Sequence, residues 1–306
     1  MNIGFVGAGG IGSFYSGLLT RAGHAVLLLA RGEHLAAIRA KGLEVRTPTE
    51  AFSVAVNATD DSTALADCEY VFVAVKGYSL AEVAPTLVAA AAKGAAIIPL
   101  LNGVAIPEQL MAFGVPRTAI IGGLATVSLF RTAPGLVEQK SPFNRVVLGE
   151  LNKSHSDRTT RLIDALAAVG VEARASDDIM LDLWRKFAFI VPITVGCGLS
   201  RQPAGRVLAN PNGRALFAGA LREIVAVSRT TASPLSDADE ARLRDELFAL
   251  QPSMRPSFLV DLMAGGRTEV DSLAGTVSRL GKEHGVPTPI HDVATAAFEV
   301  ASQPAE

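Results

Sequence analysis

Apolar and polar positions fall in blocks along this chain, and the blocks change character at its middle. A short apolar run at Ile3, Phe5 and Val6 is followed by a glycine-rich turn, a helix-like stretch to Arg21, a stop at Gly23 and a second apolar run, 26–30. Strand-like runs recur at 70–75, 95–101 and 119–121, with a helix-like stretch at 80–92. Such alternation predicts a doubly wound parallel sheet. Shorter strands are expected at its margin, at 128–136 and 145–149, and an amphipathic helix at 157–169. From Asp177 onward the strand pattern stops, and helices are punctuated by Pro203, Pro211, Pro234, Pro256 and Gly265-Gly266. The expected organisation is therefore an α/β domain over 1–176 and an all-helical domain over 177–306, without internal repeats and with disorder in the last few residues only. A length of 306 residues agrees with two domains.

Composition narrows the picture. Apolar residues make up 49% of the chain, enough for two cores, and the net charge of −2 gives no general case for nucleic acid or an anionic membrane surface. Cys68 and Cys197 lack any C-x-x-C or His partner spacing, so they read as small core residues and no metal site is expected. The first residues carry no basic stretch before their apolar run, which predicts no signal peptide and a cytoplasmic protein. The longest apolar stretch, 187–199, holds Pro192, Gly196 and Gly198 and falls short of the roughly 20 residues a membrane span needs. It reads as a buried helix that bends.

The glycine-rich turn, Gly7-Ala8-Gly9-Gly10-Ile11-Gly12, fits G-x-G-x-x-G in its strand, turn, helix, strand setting. Gly7 permits the tight turn, Gly9 lets the backbone approach a pyrophosphate, and Gly12 lets helix and strand pack closely. The free N–H groups of the new helix then face the anion. At the end of the second strand, where an NAD site usually has an acid, stands Arg31, which can pair with a 2′-phosphate. NADPH is the cofactor this predicts, while Glu33 keeps NAD open. Lys76 and Asn102 follow later strands and share the carboxyl edge with the turn and Arg31; alone, they read as a surface lysine and an Asn-Gly turn.

In the helical half, Ile179, Leu183, Phe187 and Val191 form a core-facing stripe with Lys186 beside it. Lys186 can reach a substrate carbonyl, or it is one half of a surface pair with Asp182. Thr268 and Asp271 have capping spacing, which places Glu269 in the first turn of a helix, where an acid also favours the dipole. On one unbroken helix Ser257 and Glu269 would stand about 18 Å apart. The Gly265-Gly266 break lets the chain fold back so that both address one site.

Taken in order, Gly7-x-Gly9-x-x-Gly12, Lys76, Leu101-Asn102-Gly103, Trp184-Arg185-Lys186 and Ser257 with Arg267-Thr268-Glu269-x-Asp271 resemble the ketopantoate reductase (2-dehydropantoate 2-reductase) family over nearly the whole chain. The resemblance implies a Rossmann-type domain followed by a helical one, NADPH as hydride donor, and a small-molecule 2-oxo acid held in the interdomain cleft. Ketopantoate or a close analogue is the implied substrate, in pantothenate biosynthesis. Lys186 matches the general acid and Glu269 the carboxylate that positions cofactor, lysine and substrate. Asn102 and Lys76 match residues near nicotinamide and substrate, and Ser257 matches a contact to the substrate carboxylate. The family commonly has asparagine where this chain has Ile190 and Thr194, which predicts a substrate whose tail differs from that of ketopantoate. Neither nucleic acid nor a membrane is an expected partner, and a homodimer is left open. Two other readings stay open: another hydroxy-acid dehydrogenase of similar architecture, and a non-catalytic NADP(H)-binding regulator.

Overall fold

The structure is a computed structural model that describes residues 1–302. Two compact units form, one from Met1–Leu101 with Ile106–Ile179, the other from Asn102–Ala105 with the residues from Met180 onward.

The first unit opens with β1 (Asn2–Val6), α1 (Gly10–Arg21), β2 (Ala25–Leu29) and α2 (Gly32–Lys41). A hairpin of β3 (Leu43–Arg46) and β4 (Ala51–Val54) intervenes before β5 (Asn57–Thr59), β6 (Tyr70–Val73), α3 (Leu80–Ala92) and β7 (Ala96–Pro99). The main sheet runs β5-β2-β1-β6-β7 with every pair parallel. Its middle strands are covered on both faces, so they need unbroken apolar runs rather than alternation. Ile3, Phe5 and Val6 of β1 and all four residues of β6 are buried, and Phe5 stacks on Phe72 at 4.9 Å.

The remainder comprises α4 (Ile106–Ala112), β8 (Ile121–Thr126), β9 (Leu129–Ala133), β10 (Leu136–Gln139), β11 (Arg145–Glu150), α5 (Asp157–Ala167) and β12 (Glu172–Ala175). β12-β11-β8 form a three-stranded sheet, and β4-β3-β10-β9 a four-stranded one that packs on α1. Gly17 permits that packing, since a Cβ there would stand 2.7 Å from Val45 Cγ2.

The second unit is helical: α6 (Ile179–Ser200), α7 (Ala204–Leu208), α8 (Pro211–Ser228), α9 (Asp237–Phe248), α10 (Ser257–Met263), α11 (Ala274–His284) and α12 (Pro289–Ala301). α8 supplies the buried Phe217, Leu221, Ile224 and Val225. α6 comes so close to its neighbours that a Cβ on Gly196 would lie 2.0 Å from Phe217 Cε1, and one on Gly198 2.6 Å from Phe298 Cζ. Close packing of this kind fixes where α6 lies. Among the described residues no helix is long and apolar enough to cross a membrane, and no group of three or more His, Cys, Asp or Glu is placed to hold a metal ion. Both cysteines are free.

Three local expectations are corrected, besides the strand at 145–149, which is β11 in the middle of the β12-β11-β8 sheet and not at the margin of the main sheet. Residues 117–119 form a 3-10 turn, and the strand begins only at Ile121. The segment 128–136 is not one strand at the margin of the main sheet; it breaks at Pro134-Gly135 into β9 and the start of β10, both in the four-stranded sheet. Gly135 supplies the required φ of +76°. The third correction concerns Thr268 and Asp271, which cap no helix. α11 starts at Ala274 with Leu273 as its uncapped N-terminal neighbour, and Thr268 Oγ1 is instead 2.9 Å from Ser302 Oγ at the end of α12. A tight turn with Leu273 N–H and Gly275 N–H both bonded to the Val270 carbonyl takes up the intervening residues. The disorder expected in the last few residues lies outside the described residues.

Candidate active site

The first unit carries the residues expected to bind the nucleotide. β1, β2 and β6 run parallel with Val6 opposite both Leu29 and Val73, so Gly7, Arg31 and Lys76 all follow strands leaving one edge of the sheet. Gly7 has φ +102°, and a Cβ on it would lie 2.8 Å from Val75 Cγ1 and 2.9 Å from the Ala74 carbonyl. Gly12 sits against the turn itself, where a Cβ would stand 1.9 Å from the Gly7 oxygen. Gly9 is different. A Cβ there would meet nothing nearer than Ala74 O at 3.8 Å, so its face is open to a ligand. Gly9 is also the N-cap of α1; no side chain caps it and no acid occupies the first turn, which leaves orphan N–H groups for an anion. These features fit a dinucleotide pyrophosphate. Gly10 answers to another neighbour, because a Cβ on it would be 2.9 Å from the Leu129 carbonyl of β9. Ala8 and Ile11 are half-buried in the same turn.

Arg31 is the N-cap of α2, its side chain is 74% exposed, and its Nη1 donates to Glu82 Oε1 on α3 at 2.9 Å. Glu33 stands in the first turn of α2. Lys76 is half-buried and leads into a 3-10 turn at Gly77–Ser79.

The second unit carries the residues expected to do the chemistry. Asn102 is half-buried, ahead of Gly103 with φ +131°, and its segment belongs to this unit although it follows a strand of the first. Lys186 lies on α6 between the buried Trp184 and Phe187, whose rings meet edge to face at 5.7 Å. Some of its surface remains accessible, yet burial dominates its ammonium and lowers the pKa to about 8, against the negative charge of Glu269, which acts to raise it. Glu269 is 7% exposed, in the irregular segment between α10 and α11. It is therefore not an exposed acid serving a helix dipole. Asp182, the alternative partner of Lys186, engages Arg185 at 3.6 Å.

The chain reverses after α10 by backbone bonding. Gly265 N–H donates to the Leu262 carbonyl and Gly266 N–H to that of Asp261, with Gly265 at φ +68°. This is a Schellman closure. Ser257, the first residue of α10, is exposed. Ile190 is half-buried one turn after Lys186, and Thr194 is buried with its hydroxyl donating to the Ile190 carbonyl at 3.0 Å. Thr194 has thus committed its only hydroxyl proton within the helix.

Two contributors have no role assigned in the motif reading. Arg185 Nε donates to Asp239 Oδ1 at 2.8 Å, tying α6 to the capping box at the start of α9. Burial pulls the Asp239 carboxyl upward, but Arg185 and Ser236 outweigh it and hold it well below the usual range. His34, buried on α2, bonds to Ser13 and to Gly135. The adjacent Arg185-Lys186 signals the first; nothing local signals a bond from His34 to a residue 101 positions away.

Comparison with known proteins agrees with this division. The model of the family described as ketopantoate reductase PanE/ApbA matches residues 3–153, and that of the same family's C-terminal region matches 178–301. A 2-dehydropantoate 2-reductase of Archaeoglobus fulgidus is 30% identical over 284 residues, 92% of this chain and 91% of the relative. The crystal structure of a PanE/ApbA family ketopantoate reductase from Ralstonia eutropha JMP134 superposes with a TM-score of 0.90 at 28% identity, covering 99% of this chain and 98% of that one. A D-mandelate dehydrogenase solved with NADH and anilino(oxo)acetate shares the fold, with a TM-score of 0.88 at 23% identity over 99% and 98% of the two chains.

Proposed function

The chain belongs to the ketopantoate reductase family, and from that membership we propose that it reduces a 2-oxo acid to the 2-hydroxy acid with NADPH, Lys186 acting as general acid. The observation that carries this reading is the Lys186 ammonium, lowered by burial to about 8 while the charge of the buried Glu269 acts to raise it. An acid with a pKa near the working pH is still charged yet gives up its proton readily.

The open face of Gly9, the uncapped start of α1 and Arg31 are the features that would hold the dinucleotide. When bound, the reduced nicotinamide supplies hydride to the substrate's carbonyl carbon. Negative charge grows on the carbonyl oxygen, where Lys186 Nζ stabilises it and then delivers its proton. Glu269 keeps Nζ protonated, Asn102 and Lys76 line the site, and Ser257 donates its hydroxyl to the substrate carboxylate.

Ile190 bears on the substrate tail. Residues four apart share a helix face, so Ile190 stands beside Lys186 and offers neither donor nor acceptor. A substrate hydroxyl buried there unpaired costs about 1–3 kcal/mol, and the Thr194 hydroxyl has its proton on Ile190 O. We read the substrate as a 2-oxo acid with an apolar or unsubstituted tail. Such an acid should match or exceed ketopantoate in kcat/KM, and Ile190→Asn should shift the ratio toward ketopantoate.

The test is NADPH oxidation against a panel of 2-oxo acids that includes ketopantoate and its deoxy analogue. Lys186→Ala should lower kcat by roughly 10²–10⁴ while NADPH affinity survives. Near-normal kcat in that variant overturns the acid assignment. A hundredfold preference for ketopantoate over its deoxy analogue overturns the reading of Ile190.

A further inference from the structure

His34 lies in the first turn of α2, three residues beyond Arg31, and is only 4% exposed. Both ring nitrogens are used. Gly135 N–H donates to Nδ1 at 2.9 Å, so Nδ1 carries no proton, and the proton on Nε2 is given to Ser13 Oγ at 3.0 Å. Ser13 Oγ donates in turn to the Ala8 carbonyl at 3.1 Å. One neutral tautomer satisfies all three bonds, and every donor in the chain points the same way, from Gly135 through the imidazole to Ala8. Burial, and then the positive charge of Arg131 on β9, hold the ring neutral by lowering its pKa to about 4.

The ends of this chain of bonds matter. Ala8 is the second residue of the glycine turn, and Ser13 is anchored there again by donating its N–H to the Gly9 carbonyl at 3.0 Å. Gly135 lies against α2, where a Cβ on it would be 3.1 Å from Ala37 Cβ. α2 itself buries only His34, Leu35 and Ile38. The imidazole is thus the polar tie between the glycine turn and the helix that Arg31 caps.

We propose that His34 is a positioning residue for the dinucleotide, fixing the first turn of α2 against Ala8 so that the pyrophosphate and the 2′-phosphate are received in register. The proposal rests on the reading of Gly7–Gly12 and Arg31 as the NADPH site. A ligand that spans two subsites gains from both only when their separation is set in advance. A ligand that fills one subsite gains nothing from it.

That difference supplies the test. The dissociation constants of NADPH and of 2′-AMP, which engages the Arg31 end alone, are measured for the unmodified protein, His34→Ala, His34→Gln and Ser13→Ala, with Tm recorded for each. His34→Ala should weaken NADPH about tenfold, the size of one or two hydrogen bonds, and leave 2′-AMP within about twofold. Ser13→Ala should weaken NADPH in the same selective way, and His34→Gln, which keeps a donor toward Ser13, should recover part of the loss. Unchanged NADPH affinity in His34→Ala overturns the proposal, as does an equal loss for both ligands. Should His34→Ala fail to fold, Ser13→Ala removes a single hydroxyl, and unchanged NADPH affinity there overturns it equally. Failure of the unmodified protein to bind NADPH overturns the cofactor reading itself, a result distinct from tight binding that His34 does not influence.

Discussion

Arg31 meets any 2′-phosphate with a carboxylate already on it. Its pair with Glu82 is exposed on both sides, and pairs of that kind contribute about 0–1 kcal/mol. A phosphate can therefore displace Glu82, but the carboxylate stays close and opposes it. Arg31→Ala should cut the preference for NADPH over NADH by about 1.5 kcal/mol, the low end for a charged hydrogen bond. Glu82→Gln should raise the same preference a few-fold and should do nothing once Arg31 is gone. Calorimetric affinities for both cofactors check this, and equal affinities in the unmodified protein would remove Arg31 from the role. Lys186 gives a prediction in pH. On the proposed role of Lys186 as general acid, reduction needs Nζ protonated, so kcat should fall as pH rises through about 8. Glu269 raises that pKa, so Glu269→Gln should move the falling limb to lower pH. A limb that stays put, or moves upward, would deny Glu269 its electrostatic role.

At the scale of elements, Gly265 ends α10 at φ +68° with nothing within 4 Å of where a Cβ would be. Gly265→Ala meets no clash, so its cost is the left-handed backbone alone, about 1 kcal/mol, read as a lower urea midpoint with unchanged m-value. A larger loss would mean that the segment carrying Glu269 depends on this closure. Elements whose cause is local are legible in the sequence: the 80–92 helix matches α3, and the glycine run forms the strand, turn and helix its spacing requires. Elements that depend on distant partners are not. β3 and β4 are four residues each, with charged Glu44 and Arg46 on β3, and they are strands because β10 and α1 complete their sheet. Thr268 has the spacing of a cap, but its hydroxyl meets Ser302, 34 residues away. The same limit applies to the site. Gly12 meets Gly7 within its own motif, whereas the approach of Gly7 to Ala74 and Val75 and the Arg31–Glu82 and His34–Gly135 contacts join residues that nothing in the sequence connects.

For the molecule as a whole, two groups held below their free pKa values make stability rise with pH, each in its own window. His34 has a folded pKa of about 4 against 6.5 for the free ring, so between those values the unfolded chain binds a proton that the native chain refuses. Its contribution is present above pH 6.5 and lost as pH falls to 4, roughly 3 kcal/mol in total and a large part of the 5–15 kcal/mol of a native protein. Lys186 has the same direction of shift at the other end of the scale. Its pKa is about 8 folded against 10.5 for a free lysine, so the native state is penalised below pH 8 and relieved as pH rises toward 10.5. His34→Gln should flatten the acid slope, and Lys186→Met should raise stability near neutral pH by about 1–3 kcal/mol, discounted for the surface that Lys186 keeps. His34 belongs to the first unit and Lys186 to the second, with no shared partner in the bonds and charges described for them. Their effects should therefore add in the double variant within about 0.5 kcal/mol. Unfolding free energies by denaturant titration from pH 4 to 10 decide the matter. An acid slope unchanged in His34→Gln would show that the ring takes up its proton in the native state, and the bond from Gly135 N–H to Nδ1 would have to be abandoned with it.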